Sequence, residues 1–208
     1  RTHWTHTMKD GDPEYCWYDR DEGRYQVQKF VAKDTELFGP LDMHHFFDWR
    51  ISEQHGRWGD YSHYEDIGGL EKFREMVTHQ QDDGVRVGLY MDTYLCSKKS
   101  EIGQAHGEQW AIHGPNGKFR SAYSSPEDPL WNMCIFSPGW PEYLAERCAQ
   151  VAEETGCDGI YLDEGGMDVG QYWCWREGHG HPVPANSPRG FRDLARKVRE
   201  ALPQRAAL

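Results

Sequence analysis

The strongest chemical signal in the sequence is an aspartate delivered by an apolar strand. In the run Gly159-Ile-Tyr-Leu-Asp-Glu164, alternation puts Tyr161 and Asp163 on one face and Ile160, Leu162 and Glu164 on the other. Ile160 and Leu162 suit packing against helices, which turns Asp163 toward the opposite face at the strand's C-terminal end. Asp92 ends the run 85–92 in the same way, sharing a face with Tyr90 and Gly88, and Asp48 ends 41–49 with Phe46 and His44. Three carboxylates are thereby expected at one mouth. Paired carboxylates suit glycosidic bond cleavage, in which one attacks or assists the anomeric carbon and another moves the proton. Strand-end aspartates also cap the loops that follow them, and for Asp48 and Asp92 that reading stays open.

Aromatic residues crowd the segments after these runs: Trp49, Trp58, Tyr61, Tyr64, Tyr94, Trp110, Trp131, Trp173 and Trp175. Flat rings pack well on the C–H faces of sugars, and they also fill space under long loops. Trp49, Tyr161 and Glu164 are expected, with Asp48 and Asp92, to shape a substrate site around Asp163. Cys174, His179 and His181 raise the question of a metal. Their spacing fits no standard zinc pattern and no fourth ligand is evident, so no metal and no cofactor is expected. A structural loop, or hydrogen bonds from the loop to sugar hydroxyls, are the readings left for this group. His44 and His45 lie within a strand, and the cluster Arg189, Arg192, Arg196, Lys197 and Arg199 alternates with acids as a solvated helix face.

The elements that must position these residues alternate. Strands are expected at 41–49, 85–92, 132–136 and 159–164. Leu70, Phe73 and Val77 mark one helical face, closed by Gly84. Leu144, Cys148, Val151 and Thr155 mark another, closed by Gly156, with Ser137 as a cap and a proline in the first turn. Phe191, Leu194, Ala195, Val198 and Leu202 mark a third, stopped by Pro203. Between them, 93–131 reads as a long irregular loop. Strands joined by helical crossovers imply a parallel α/β sheet. No glycine-rich phosphate loop follows any strand, which disfavours a nucleotide-binding sheet. The expected fold is a TIM (β/α)8-type barrel, present as about its first four β/α units. Residues 1–40 read as an N-terminal extension and 41–208 as the partial barrel.

Composition sets outer bounds. A chain of 208 residues with 13% aromatics is long enough for one domain with a substantial core and too aromatic for a disordered one. The net charge of −11 repels phosphate backbones, so nucleic acid is not an expected partner. No apolar run approaches the roughly 20 residues that span a bilayer, and no membrane partner is expected. Neither a cytoplasmic nor a secreted location is favoured. The six cysteines contain no C-x-x-C pair, and Cys134, Cys148 and Cys157 read as buried thiols.

Three stretches carry a family resemblance. They are His44-His-Phe-Phe-Asp-Trp49 with Gly69-Leu-Glu-Lys-Phe73 and Gly84-Val-Arg-Val-Gly-Leu-Tyr90; Trp131-Asn-Met-Cys-Ile-Phe-Ser-Pro-Gly-Trp140 with Cys157-Asp-Gly-Ile-Tyr-Leu-Asp-Glu164; and Cys174 with His179-Gly-His-Pro182 and the last helix. The run from Leu41 to Leu202 resembles the first half of the catalytic barrel of the α-galactosidase and α-glucosidase superfamily of retaining glycosidases. It resembles still more a related bacterial family of unknown function. The resemblance implies a carbohydrate-active hydrolase taking an oligosaccharide, polysaccharide or glycoside. It implies Asp163, ending the fourth strand, as nucleophile, and an acid/base carboxylate on a later strand beyond Leu208, with Glu164 and Glu177 as in-chain substitutes. A half barrel leaves an open face, so self-association or a missing C-terminal half is expected to complete it. A metal-dependent barrel hydrolase and a non-catalytic carbohydrate-binding fragment are the rival readings.

Overall fold

A computed structural model of the protein describes residues 2–5, 17–47, 49, 54–56, 58–120, 123–165, 173–185 and 187–208. In chain order these form β1 (Thr2–Thr5), β2 (Tyr18–Asp19), β3 (Arg24–Tyr25), α1 (Val27–Phe38) and β4 (Met43–Phe46). After a 3₁₀ turn come α2 (Leu70–Asp82), β5 (Arg86–Asp92), β6 (Leu95–Ser97), α3 (Glu101–Trp110) and β7 (Leu130–Asn132). The last three elements are α4 (Trp140–Thr155), β8 (Gly159–Asp163) and α5 (Ser187–Ala201).

Strands β1, β4, β5 and β8 form a parallel sheet in that order. Among the described residues this sheet is open, with β1 and β8 at its two edges. Two expectations are corrected. The run 132–136 is not a sheet strand: Leu130–Asn132 pairs antiparallel with Leu95–Ser97 in a separate ribbon, and the chain then turns, with Ser137 N donating to the Cys134 carbonyl at 2.9 Å. Met133, Cys134 and Ile135 are buried without being part of that sheet. The missing strand is β1, which lies in the segment read as an extension; its four residues carry no apolar run. Strand β8 is still the fourth in the sheet.

The 93–131 segment is also more regular than expected. It holds β6, α3 and β7. Helix α3 escapes a propensity reading because it contains Gly103 and Gly107, each of which weakens a helix. Contact requires both: an added Cβ would lie 1.9 Å from the Ser97 carbonyl oxygen at Gly103 and 2.2 Å from the Trp131 ring at Gly107.

The three predicted helical faces are present. Phe73, Met76 and Val77 of α2, Leu144, Cys148, Val151 and Thr155 of α4, and Leu194 and Val198 of α5 are buried. Helix α4 begins later than expected. Gly139 is its N-cap, Pro141 lies in its first turn, and Glu142 accepts from Gly139 N at 3.2 Å, while the Ser137 hydroxyl donates back to the Cys134 carbonyl. Gly156 ends α4 in the left-handed conformation. Helix α4 packs on α2, α5 and β8. No helix of the described residues is long and apolar enough to cross a membrane.

Register fixes which strand residues share a face. Phe46, Leu89 and Ile160 are level with one another, as are His45, Gly88 and Gly159. Val87, Leu89, Met91, Phe46 and Ile160 are buried apolar residues on the helix side. The other face carries His45, Gly88, Tyr90, Asp92, Tyr161 and Asp163. His44 and Phe46 therefore lie on the helix side, not on the site face expected for them with Asp48. Asp48 itself lies outside the described residues.

Candidate active site

Strands β5 and β8 end in two copies of one pattern, Gly88-Leu-Tyr-Met-Asp92 and Gly159-Ile-Tyr-Leu-Asp163, paired residue for residue in parallel register. Each pattern places a tyrosine and an aspartate two residues apart on the non-helix face. The glycines make room below them: a Cβ at Gly88 would lie 2.3 Å from His45 Nδ1, and one at Gly159 would lie 3.2 Å from Met43 Cε. His45 meets Tyr161 edge-on with ring centroids 5.9 Å apart, and Tyr161 stacks beside Tyr90 at 6.0 Å.

The two aspartates have different surroundings. Asp92 is 1% exposed, and its Oδ1 accepts from Tyr94 N at 2.8 Å and Leu95 N at 2.7 Å. Burial pushes its carboxyl up to about 6, against the pull of those two amides. Asp163 is partly exposed, with Oδ1 3.2 Å from the Tyr161 hydroxyl and Oδ2 2.9 Å from the Tyr90 hydroxyl. The Tyr90 hydroxyl also lies 3.0 Å from Asp92 Oδ2. A phenol has one proton to give. Both contacts can be hydrogen bonds together only when one of the two carboxyls carries a proton, and burial raises the affinity of Asp92 for it. Burial and the two carboxylates hold the Tyr90 hydroxyl far above its usual range, so it stays a donor. Thr93 donates to the Asp163 carbonyl at 2.7 Å, Trp140 Nε1 donates to the Thr93 carbonyl at 2.9 Å, and Asp92 N donates to the Tyr61 hydroxyl at 2.9 Å. These bonds fix the ends of the two strands to each other and to α4.

Several expected site residues are placed differently. Trp49 is 1% exposed, packs on Phe73 and gives its indole N–H to the Tyr90 carbonyl at 2.8 Å, so it is a core residue beneath the site. Asp92 is sealed away from solvent and supports its neighbour. Glu164 does not continue the strand alternation. Its φ of +56° turns the chain, and the side chain comes within electrostatic reach of both aspartates. Burial, then Asp92 and Asp163, push its carboxyl up to about 8. Glu164 Oε2 is buried and has no hydrogen-bond partner among the described residues. Of the loop aromatics, Tyr61, Tyr64, Tyr94 and Trp110 are buried, and Trp58 and Trp131 pack against the core. Trp173 and Trp175, after β8, stay partly exposed with centroids 6.1 Å apart.

Cys174 and His179 are buried, and His181 is partly so. His179, expected among the donors to sugar hydroxyls, is turned inward: Nε2 lies 2.9 Å from the Gln109 carbonyl and Nδ1 lies 3.6 Å from Cys174 Sγ. The structure adds a residue that spacing did not connect to this group, Cys134, whose Sγ is 3.6 Å from His181 Nε2. The one signal for it in the sequence is a cysteine beside a strand-like run, which reads equally as core.

The family described as Domain of unknown function (DUF6259) matches residues 7–208. The chain belongs to this family. No curated protein matches the sequence. Among solved structures, the α-galactosidase of Thermus thermophilus in complex with stachyose is similar at a TM-score of 0.56 and 15% identity, covering 86% of this chain and 35% of that one. A cycloisomaltooligosaccharide glucanotransferase from Paenibacillus sp. gives 0.64 and 14%, covering 97% and 28%. A GH31 α-xylosidase from a soil metagenome gives 0.62 and 14%, covering 96% and 26%. The DUF6259 chain therefore has a glycoside-hydrolase-like α/β fold and spans about a third or less of the length of these enzymes.

Proposed function

We propose that this chain is the first part of the catalytic (β/α)8 barrel of a retaining glycoside hydrolase acting on α-linked O-glycosides, with Asp163 as nucleophile. The observation that carries the proposal is the contrast between two register-paired aspartates. Asp92 is buried and held by backbone amides, whereas Asp163 is partly exposed and oriented by two phenols. A nucleophile must be anionic and reachable, and Asp163 satisfies the second condition where Asp92 does not. Barrel enzymes carry such groups at the C-terminal ends of their strands, which is where β8 presents Asp163.

Asp163 attacks the anomeric carbon, or stabilises its oxocarbenium character, with one oxygen. Tyr90 and Tyr161 hold the carboxylate plane and leave one lone-pair direction for the sugar. Trp173 and Trp175 offer ring faces to substrate on the loop after β8. A carboxyl from a strand beyond Leu208 protonates the leaving oxygen. Support for further strands comes from the chain after α5, where Ala207 bridges in parallel to Gly159 on the free edge of β8, with Ile160 N donating to the Ala207 carbonyl at 3.0 Å. That is the place of the next strand in a barrel.

The test is a panel of aryl α-glycosides incubated with the full protein that carries this chain. Turnover of at least one, abolished in an Asp163→Asn variant that keeps the parent fold, is the expected result. Absence of turnover across the panel, with saccharide binding intact, would favour a non-catalytic binding role.

A further inference from the structure

The cluster around Cys174 has more in it than its sequence spacing. The Sγ atoms of Cys134 and Cys174 and one ring nitrogen each of His179 and His181 all lie within 4.8 Å of one another. Cys134 comes from the turn between β7 and α4, and the other three from the segment after β8. Cys134, Cys174 and His179 are each no more than 3% exposed.

The histidines are oriented in a way that packing alone does not require. His179 Nε2 lies 2.9 Å from the Gln109 carbonyl and His181 Nδ1 lies 2.8 Å from the Pro182 carbonyl. A carbonyl oxygen only accepts, so those nitrogens carry the ring hydrogens. The lone pairs of His179 Nδ1 and His181 Nε2 therefore point into the cluster, each toward a sulfur at 3.6 Å. Metal-bound imidazoles commonly have their outer N–H fixed in this manner. Arg176 N also donates to Cys174 Sγ at 3.4 Å, an outer contact that suits a thiolate. A tetrahedral zinc with Zn–S of about 2.3 Å and Zn–N of about 2.0–2.1 Å has S···N edges of about 3.6 Å. Both recorded S···N separations have that length.

We propose that Cys134, Cys174, His179 and His181 form a structural zinc site. Two thiolates and two imidazoles in a compact, buried set select zinc over hard cations such as calcium or magnesium. Four protein ligands leave no position for an activated water, so the site is closed and its role is to hold the chain. It joins the segment that carries Trp173 and Trp175 to the β7–α4 turn and, through Gln109, to the end of α3. This reverses the sequence expectation of no metal, which rested on the lack of a fourth ligand. That ligand comes from another element, so no local spacing pattern reports it. The site is independent of the glycosidase proposal.

The experiment is elemental analysis of the full protein purified without added metal or chelator, beside Cys134→Ser, Cys174→Ser and His179→Gln. Stoichiometric zinc in the parent and a loss of at least about tenfold in each variant is the expected result. Because a variant can fail to fold, the parent is also stripped and refilled with cobalt. Intense visible d–d bands with near-ultraviolet thiolate charge transfer are expected. Zinc-free parent protein that also refuses cobalt would overturn the proposal. So would an intact mass under non-reducing conditions showing a Cys134–Cys174 disulfide.

Discussion

Asp92 and Asp163 are register partners on neighbouring parallel strands, and the Tyr90 hydroxyl stands between them, 3.0 Å from one carboxylate and 2.9 Å from the other. One phenol proton cannot serve two carboxylate acceptors at once, and burial raises the proton affinity of Asp92.

Removal of that phenol has a measurable consequence. Tyr90→Phe keeps the ring packing and takes away a hydrogen bond to a charged group, worth about 1.5–3 kcal/mol, or about 10- to 160-fold. A fall of that size in kcat/KM on an active glycoside is expected, with a shift of the acid limb of the pH profile. An unchanged profile would show that the hydroxyl does not tune the pair.

Stability should depend on pH in an unusual direction. Asp92 and Glu164 both have folded pKa values above their ordinary ones, rising from 3.8 to about 6 and from 4.5 to about 8. The folded state thus binds more protons than the unfolded state between about pH 4 and 8, and stability falls as pH rises through that window. The denaturant midpoint should rise from pH 8 to pH 5.5, and Glu164→Gln should flatten the upper part of that slope. A midpoint that falls with acidification over this range, in the parent, would contradict the placement of these two carboxyls.

Close packing beneath the site gives another expectation. Gly88 has His45 Nδ1 where a Cβ would be, at 2.3 Å, and Met43 Cε at 2.9 Å. Gly88→Val overfills this face and should cost about 1–3 kcal/mol of stability, read as a lowered denaturation midpoint. A variant as stable as the parent would mean that His45 and Met43 rearrange freely.

Much of the scaffold was legible in the sequence because it rests on periodicity. The faces of α2, α4 and α5 follow from apolar spacing, and the Tyr161–Asp163 face of β8 follows from alternation on an apolar strand. Other parts were hidden for physical reasons. Strand β1 is short and polar, so it offers no pattern. Helix α3 uses Gly103 and Gly107 for close contact, and these read as loop. Glu164 departs from alternation because its positive φ turns the chain, which periodicity does not encode. The tandem Gly-x-Tyr-x-Asp pattern of β5 and β8 was present in the sequence, but two five-residue segments about 70 positions apart do not register as a repeat. Trp49 shows the limit of reading aromatics by location, since a tryptophan following a strand can lie under the site as readily as beside it.

The central claim, Asp163 as nucleophile, is tested most directly by chemical rescue. Asp163→Asn in the full protein should fold as the parent does and lose more than about 10³-fold in kcat on an α-glycoside that the parent hydrolyses. Azide added to Asp163→Gly, which opens that position, with an activated aryl α-glycoside should restore turnover and yield the β-glycosyl azide, because the anion occupies the place that the carboxylate has vacated. A folded Asp163→Asn protein that retains activity within about tenfold of the parent would contradict the assignment. An α-configured azide product would contradict it equally, by making Asp163 a base rather than the nucleophile.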